Sequence, residues 1–149
     1  MGKVVRMATA ITALVDAQTQ AIDRWAELWS AHDMDRLLHL FTDDLVYEDV
    51  TMAVVNRGPA ALKAFGESFL EGFPDVTFEL RARFANGSNG GAEWVMRGTN
   101  TGDSPGMPAT GNRVEVRGAS IFEFDGDRIR RCSDYWDMST FLKQLGAAS

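Results

Sequence analysis

Length, composition and charge restrict what this chain can be. Its 149 residues, 45% of them hydrophobic, are enough to enclose a core and favour one domain over residues 1–149. A formal net charge of −6, with no cluster of basic residues among aromatic ones, argues against nucleic acid as a partner. The single cysteine cannot form an internal disulfide and no Cys/His spacing indicates zinc, so we expect a cytoplasmic protein without a metal or other cofactor.

Helical spacing of apolar residues dominates the first part of the chain. It predicts a long amphipathic helix from Ile11 to Ser30. Asp33 is a plausible N-cap for a short second helix, and the apolar residues of that helix are Leu37, Leu38 and Phe41. Two basic residues and an apolar run at the start resemble a signal peptide, but the run continues into the first helix. No stretch reaches the roughly 18 apolar residues that a membrane span needs, so we expect no membrane partner.

Alternating and turn-bounded patterns dominate the rest of the chain. Residues 45–50 predict a strand, and a third helix is predicted over 60–70. Four further strands are predicted, separated by turn clusters rich in Gly, Asn and Asp; they span 76–84, 92–101, 113–124 and 128–136. Three helices ahead of an antiparallel meander indicate an α+β fold with the helices packed on one face of the sheet.

Strand parity brings polar side chains together, because residues two apart on a strand share a face. The sets that share a face in this way are Tyr47 with Asp49, Arg97 with Thr99, and Cys132 with Asp134 and Trp136. Asp134 stands between apolar neighbours, where a carboxylate costs free energy unless it is paired or lines a wet cavity. It is therefore the foremost candidate for a functional acid, with a structural ion pair to Arg97 or another arginine as the alternative.

Asp49 is the second candidate carboxylate, and its alternative is a solvent-facing or turn-capping acid at a strand end. Two carboxylates that face one apolar cavity repel, so one should have a raised pKa and act as acid while the other stays ionised as base. Proton abstraction beside a carbonyl also needs a donor aimed at the developing oxyanion. The candidate donors are Arg97, Tyr47 and Trp25.

Three segments carry a family resemblance: HDMDRLLHLFTDDLVYED, GMPATGNRVEVRGASIFEFDGDRI and CSDYWDMSTFLKQLG. With the order of helices and strands, they resemble the SnoaL-like polyketide cyclases of the nuclear transport factor 2-like superfamily over about residues 21–146. The resemblance implies a cone-shaped, curved, mixed or antiparallel sheet that encloses a pocket with three N-terminal helices. Relatives on this fold include epoxide hydrolases, ketosteroid isomerases and proteins without chemistry, so the fold alone does not fix a function.

The resemblance also implies roles for single residues. Asp134 matches the acid/base aspartate on the last strand of the cyclases and of the limonene-epoxide-hydrolase-like enzymes. Arg97 is similar to the arginine that orients the aspartates of those hydrolases, and Tyr47 to the tyrosine that helps to hold their water. The second aspartate of the hydrolase triad falls on Thr99, and its asparagine partner falls on Asp49, so an intact triad is missing.

Comparison with the ketosteroid isomerases gives a different role to Asp49, which matches the strand aspartate that moves a proton between carbons. The phenol that stabilises the enolate in those enzymes falls on Trp25, and their protonated acid falls near Ser120. An indole N–H or a hydroxyl can donate one hydrogen bond, but neither reproduces that pair of strong donors. The sequence therefore does not predict a standard ketosteroid isomerase.

The function expected from these observations is a cofactor-independent acid/base enzyme of aldol cyclase or isomerase type, acting on a hydrophobic, carbonyl-bearing small molecule in a buried pocket. Two alternatives stay open: a non-catalytic ligand-binding protein of the same fold, and an epoxide hydrolase with an altered triad. The predicted catalytic residues are Asp134, Asp49, Arg97 and Tyr47. The predicted pocket lining is Trp25, Trp29, Thr99, Val116, Gly118, Cys132 and Trp136.

We also expect a homodimer, since sheets of this family often pair face to face. Apolar residues on the strand faces opposite the pocket would otherwise meet water. The residues expected on that face are Val114, Trp94 and Tyr135.

Overall fold

The computed structural model describes residues 2–146, which form four helices and six strands. In chain order these are α1 (Gly2–Ser30), α2 (Met34–Leu38), β1 (Phe41–Asp49), β2 (Val54–Arg57), α3 (Pro59–Gly72), β3 (Thr77–Ala85), β4 (Asn89–Thr99), β5 (Arg113–Asp125), β6 (Arg128–Trp136) and α4 (Met138–Gln144). Helices precede most of the sheet, as the sequence predicts. The α+β fold class is confirmed.

All six strands belong to one curved, unclosed sheet in the order β2-β1-β6-β5-β4-β3. Neighbouring strands are antiparallel except β1 and β6, which are parallel. That parallel pairing places the carboxyl-terminal ends of β1 and β6 side by side, with Asp49 in register with Asp134. Two carboxylates that are 85 positions apart in the sequence are thus neighbours across the strands.

The core lies between the helices and one face of the sheet, called here the inner face. α1 packs across β3 and buries Ile22, Trp25 and Trp29 against it. Apolar residues of the inner strands, such as Trp94 and Phe122, meet these side chains from the sheet. Many of the contacts between the helix and the sheet join aromatic rings. Such rings are large and rigid, and a cavity remains between them.

The structure departs from the predicted elements at several boundaries. α1 begins at Gly2 rather than Ile11. Phe41 begins β1 instead of ending the second helix, because the chain has already joined β6 there: the Ile129 amide donates to the Leu40 carbonyl at 2.8 Å. The local spacing of apolar residues does not reveal such a long-range contact.

Two elements were not predicted. β2 is a four-residue strand at the edge of the sheet, too short to give a clear alternation. α4 follows Asp137, whose carboxylate accepts from the Thr140 amide at 3.0 Å. This N-cap is a signal present in the sequence and overlooked there. By contrast, the predicted Asp33 cap is confirmed by the bond from the Arg36 amide.

The residues expected on the outer face, away from the helices, are only partly there. Val114 and Trp94 are 3% and 4% exposed and belong to the core, so their predicted place on the outer face is wrong. Tyr135 does lie outside and is 49% exposed. The error is one of parity, since a one-residue shift in the reading of a strand exchanges its two faces.

Candidate active site

A cavity of about 340 Å³ lies between α1, α3 and the inner face of the sheet. Aromatic and aliphatic side chains make up most of its wall. Carboxylates enter that wall at one place, where β1 and β6 end together and present Asp49 and Asp134. A cavity of this size, mostly apolar with a few convergent polar groups, has the properties of a small-molecule site.

Asp134 is held by hydroxyl donors from the two neighbouring strands. The Tyr47 hydroxyl donates to its Oδ2 atom at 2.7 Å, and the Ser120 hydroxyl donates to Oδ1 at 2.6 Å. The Cys132 thiol lies 3.4 Å from Oδ1 as a third, weaker donor. Ser120 in turn accepts from the indole N–H of Trp94 at 2.9 Å, so the carboxyl is fixed by a connected network.

Burial raises the pKa of Asp134 to about 6, although the hydrogen bonds from Ser120 and Tyr47 oppose the shift. The nearby Asp49 carboxylate adds to it by repulsion. At neutral pH the group is therefore mostly ionised but close to its pKa, so it can take up and release a proton. This is the property that a general base or acid needs.

The other groups of the network keep their protons. Burial, followed by the charge of Asp134, raises the pKa of Tyr47 well above its ordinary range. The same two causes raise the pKa of the Cys132 thiol. Tyr47 thus acts as a hydrogen-bond donor, and Cys132 is an inert buried thiol, not a nucleophile.

Asp49 is 5% exposed and is anchored differently. The indole N–H of Trp136 lies 3.0 Å from both of its carboxylate oxygens, and the Met52 amide donates to Oδ1 at 2.9 Å. Burial raises the pKa of Asp49, while the bonds from Met52 and Trp136 oppose the shift. The turn-capping interpretation is therefore correct in part, yet the same carboxylate also lines the cavity.

Arg97 and Thr99 do not reach the cavity, so the prediction that they share its face is wrong. Arg97 lies on the outer face and pairs with Glu115 at 2.6 Å and Glu79 at 2.8 Å. Thr99 bonds to Asp75 through both its amide and its hydroxyl. On β4 the inner residues are the even-numbered Trp94 and Met96, which fixes the odd-numbered ones outside.

This placement also removes the structural ion pair suggested for Asp134. Among residues 2–146, no arginine or lysine lines the cavity. The carboxylate is balanced by neutral donors alone, which is why its pKa rises instead of falling.

The remaining predicted lining residues are distributed as follows. Trp25, Trp29, Val116 and Trp136 line the cavity. Cys132 is fully buried behind Asp134, outside the cavity wall. Gly118 lies on the inner face, but the Trp94 ring covers it.

Gly118→Ala is expected to destabilise the fold by about 1–3 kcal/mol through overpacking. A Cβ atom there would lie 2.4 Å from Cη2 of Trp94, a ring that its bond to Ser120 holds in place. Gly91→Ala is the matched control, because its Cβ would meet only the ring of the exposed Phe84, which can move. Urea unfolding checks both, and equal stability of Gly118→Ala and the native chain would refute this packing.

Two indole groups of the cavity wall lack a partner. The N–H groups of Trp25 and Trp29 are buried and have no acceptor among the described residues. A buried donor without an acceptor costs about 1–3 kcal/mol. These two tryptophans lie one helical turn apart on α1, so they form a pair of adjacent unsatisfied donors.

Residues 2–146 contain no group of three or more His, Cys, Asp or Glu side chains that could hold a metal ion. The helices of this part of the chain are also not long and apolar enough to cross a membrane.

Comparisons with known proteins define first the class of fold and then the family. A protein of Catenulispora acidiphila with a ketosteroid isomerase-like fold, in complex with trimethylamine, superposes with a TM-score of 0.76 (20% identity; 86% of this chain and 93% of that one). A phenazine biosynthesis-related protein of Pseudomonas aeruginosa gives 0.79 (20% identity; 96% and 93%). A protein of Jannaschia sp. CCS1 assigned to the SnoaL-like polyketide cyclases gives 0.82 (18% identity; 91% and 96%).

The sequence itself matches the family described as SnoaL-like polyketide cyclase over residues 19–145. The chain therefore belongs to that family. No curated protein matches it significantly.

Proposed function

We propose that this protein is a cofactor-independent acid/base enzyme that moves a proton at a carbon next to a carbonyl group of an apolar, ring-containing small molecule. The observation that carries the proposal is Asp134: a buried carboxyl on the wall of an apolar cavity, with neutral donors around it and a pKa raised to about 6. Family membership supports chemistry of the cyclase type on a small molecule.

In the proposed step the ionised Asp134 takes the proton from the carbon next to the carbonyl. The electron pair of the C–H bond forms a carbon–carbon double bond while the π pair of the carbonyl group moves onto its oxygen. The resulting enolate can then form a new bond at carbon or be protonated elsewhere. Tyr47 and Ser120 hold the carboxyl in one orientation through its two oxygens, which lowers the cost of aligning it with the substrate. Asp49, anchored by Trp136, supplies the second carboxyl for proton return.

Donors for the enolate oxygen are proposed to come from α1. The rings of Trp25 and Trp29 line the cavity, and their unpartnered N–H groups are buried and can only donate, so a ligand atom that satisfies them once the rings adjust must be an acceptor such as a carbonyl oxygen. A fixed donor aimed at developing negative charge is worth more in an apolar, water-poor cavity than in water. These donors support a carbonyl compound as the proposed substrate.

The altered-triad epoxide hydrolase is not proposed, because the arginine on which that reading depends faces solvent on the opposite side of the sheet. The non-catalytic ligand-binding protein is retained as the outcome in which ligands bind but no proton is exchanged. The proposed enzyme and the ligand-binding protein would use the same cavity, so they differ only in whether Asp134 exchanges a proton with the ligand.

The experiment that tests the proposal is solvent exchange at carbon. Aromatic ketones with an enolisable position, such as a tetralone and a cyclic aromatic 1,3-diketone, are incubated with the protein in D2O and followed by proton NMR. Protein-dependent loss of the signal next to the carbonyl is the expected result. Probes that bind in the cavity, as shown by quenching of tryptophan fluorescence, yet exchange no faster than in buffer would overturn the proposal.

Trp25→Phe and Trp29→Phe should each weaken the binding of a ketone probe by about 2- to 10-fold, the worth of one hydrogen bond. The same variants should bind the deoxy analogue, which lacks the carbonyl oxygen, as well as the native protein does. Isothermal titration of the ligand pair measures both values. An equal loss for the ketone and its deoxy analogue would show that the indoles contribute only packing.

A further inference from the structure

The mouth of the cavity lies between three segments of the chain. Most lining side chains are buried or half-buried, and Asp49 and Asp134 are only 5% and 9% exposed. The lining residues that are exposed are Met52 in the β1–β2 turn, Pro105 in the β4–β5 loop and Leu142 on α4. A ring-containing ligand therefore reaches the carboxylates between these segments, and one of them has to move aside for it.

The β4–β5 loop, residues 100–112, is firmly anchored at its base. Asn100 is fully buried, and its side-chain amide donates to the carbonyl of Gly72, the last residue of α3, at 3.1 Å. Nearer the middle of the loop, the Asp103 carboxylate accepts from the Ala109 amide at 2.7 Å. The first of these bonds ties the loop to α3, and the second joins the two sides of the loop.

Residues 104–108, called here the tip, form a compact turn beyond the Asp103–Ala109 bond. The Met107 amide donates to the Ser104 carbonyl at 2.8 Å, and the Ser104 amide donates to the Met107 carbonyl at 2.9 Å. Between them, Gly106 has a φ of 75°, the left-handed conformation that a type II turn has at its third residue. The tip is thus a small unit whose internal bonds are kept when the whole turn moves.

Weak contacts hold the tip against the rest of the domain. Within residues 2–146 its one hydrogen bond to another element runs from the Ser104 hydroxyl to the Ser68 carbonyl on α3, and its 3.4 Å exceeds the usual length of about 2.5–3.0 Å. Met107 is half-buried against the core. By contrast, the β1–β2 turn joins two paired strands, and α4 is anchored by the buried Phe141. Of the three segments at the mouth, the tip moves at the least cost.

We propose that the tip is the lid of the cavity: it moves away from α3 about the Asp103–Ala109 bond to admit the ligand, and then returns to cover the ligand with Met107. Closure keeps water away from Asp134 while the enolate exists, which prevents its premature protonation. The lid rests on the proposed function for this purpose. Entry of a ligand does not depend on proton exchange, however, so the two proposals can fail separately.

A disulfide that locks the tip against α3 tests the lid. A Cβ atom on Gly72 would lie 3.5 Å from the Cβ atom of Ser104, within the range of about 3.5–4.5 Å that a disulfide spans. Gly72→Cys combined with Ser104→Cys should therefore form the bond in oxidised glutathione and lose it in dithiothreitol. The native chain in the same oxidant is the control, because its one cysteine, Cys132, is buried.

Ligand entry is followed by stopped-flow fluorescence with N-phenyl-1-naphthylamine, a neutral dye that becomes bright in apolar surroundings. The oxidised double variant should take up the dye at least about tenfold more slowly than its own reduced form, whereas the oxidant should not change the rate of the native chain. Equal rates in the two forms would overturn the proposal, because the dye then enters past a fixed tip. Failure of the two cysteines to pair, or a native protein that takes up no dye, would also overturn it.

Asp103→Ala tests the lid without a change in the core. Asp103 is exposed and does not line the cavity. Loss of its bond to the Ala109 amide frees the tip, so bound dye should leave about 2- to 10-fold faster. Asp103→Asn keeps an oxygen that can accept the same bond and should restore slow release. Release from Asp103→Ala at the native rate would contradict a lid that turns about this bond.

Discussion

Asp134→Asn is expected to lower the rate of proton exchange at least about 100-fold while the fold and ligand binding are kept. The substitution is nearly isosteric, and the hydroxyls of Tyr47 and Ser120 can rotate to bond with an amide. An amide cannot accept a proton from carbon at neutral pH, so the loss should be in turnover and not in affinity. The rate in D2O and the probe affinity, measured side by side, check this.

Asp127→Asn provides the matched control, because it makes the same chemical change in an exposed turn far from the cavity. It should exchange protons at the native rate. Asp49→Asn separates the roles of the two carboxyls: a loss as large as that of Asp134→Asn would make Asp49 an equal partner in the step. If Asp134→Asn retained most of the native rate, Asp134 would not be the base.

The stability of the native protein should fall as pH rises from about 4 to about 6, by about 3 kcal/mol from Asp134 alone. The unfolded carboxyl loses its proton near its ordinary pKa of 3.8, whereas burial holds the folded pKa at about 6. Between these values the folded state binds more protons than the unfolded state, so the folded state loses stability with increasing pH. The raised pKa of Asp49 acts in the same direction.

Urea unfolding of the native chain and of Asp134→Asn across this range isolates the effect. Titrations of other acids, such as the lowered pKa of Asp75 and of Asp137, are common to both proteins and cancel in the difference. The free energy of unfolding of Asp134→Asn should increase relative to that of the native chain by about 3 kcal/mol between about pH 4 and 6. Above this range the difference should stay constant. A difference that does not change with pH would contradict a raised pKa at Asp134.

The parts of the fold that could be predicted are those whose signals lie within a short stretch of sequence. Local periodicity found α1, α3 and five of the six strands, since their apolar spacing is set by the face that each buries. The parallel pairing of β1 with β6 could not be found in this way. It depends on residues far apart in sequence, and it is this pairing that brings Asp49 beside Asp134.

The site was predictable where one strand alone decided the outcome. Asp134, Trp136 and Tyr47 were placed on the cavity side by the parity of their own strands. Arg97 was misplaced because the parity of β4 was assigned the wrong way round, with Trp94 outside, whereas the buried Trp94 and Met96 fix Arg97 on the opposite face. Ser120 was overlooked as a partner of Asp134, although the hairpin of β5 with β6 puts the two in register. A small polar residue on an otherwise apolar strand, such as Ser120, indicates a hydrogen-bond partner on the neighbouring strand.

The dependence of the exchange rate on pH tests the central claim most directly, namely that Asp134 acts as a base with a pKa near 6. With one ketone probe and the native protein, kcat/KM should rise about tenfold per pH unit below pH 6 and reach a plateau above it, because only the ionised carboxylate accepts the proton. A rate that is constant through pH 6, or that falls as the carboxyl ionises, would contradict the account.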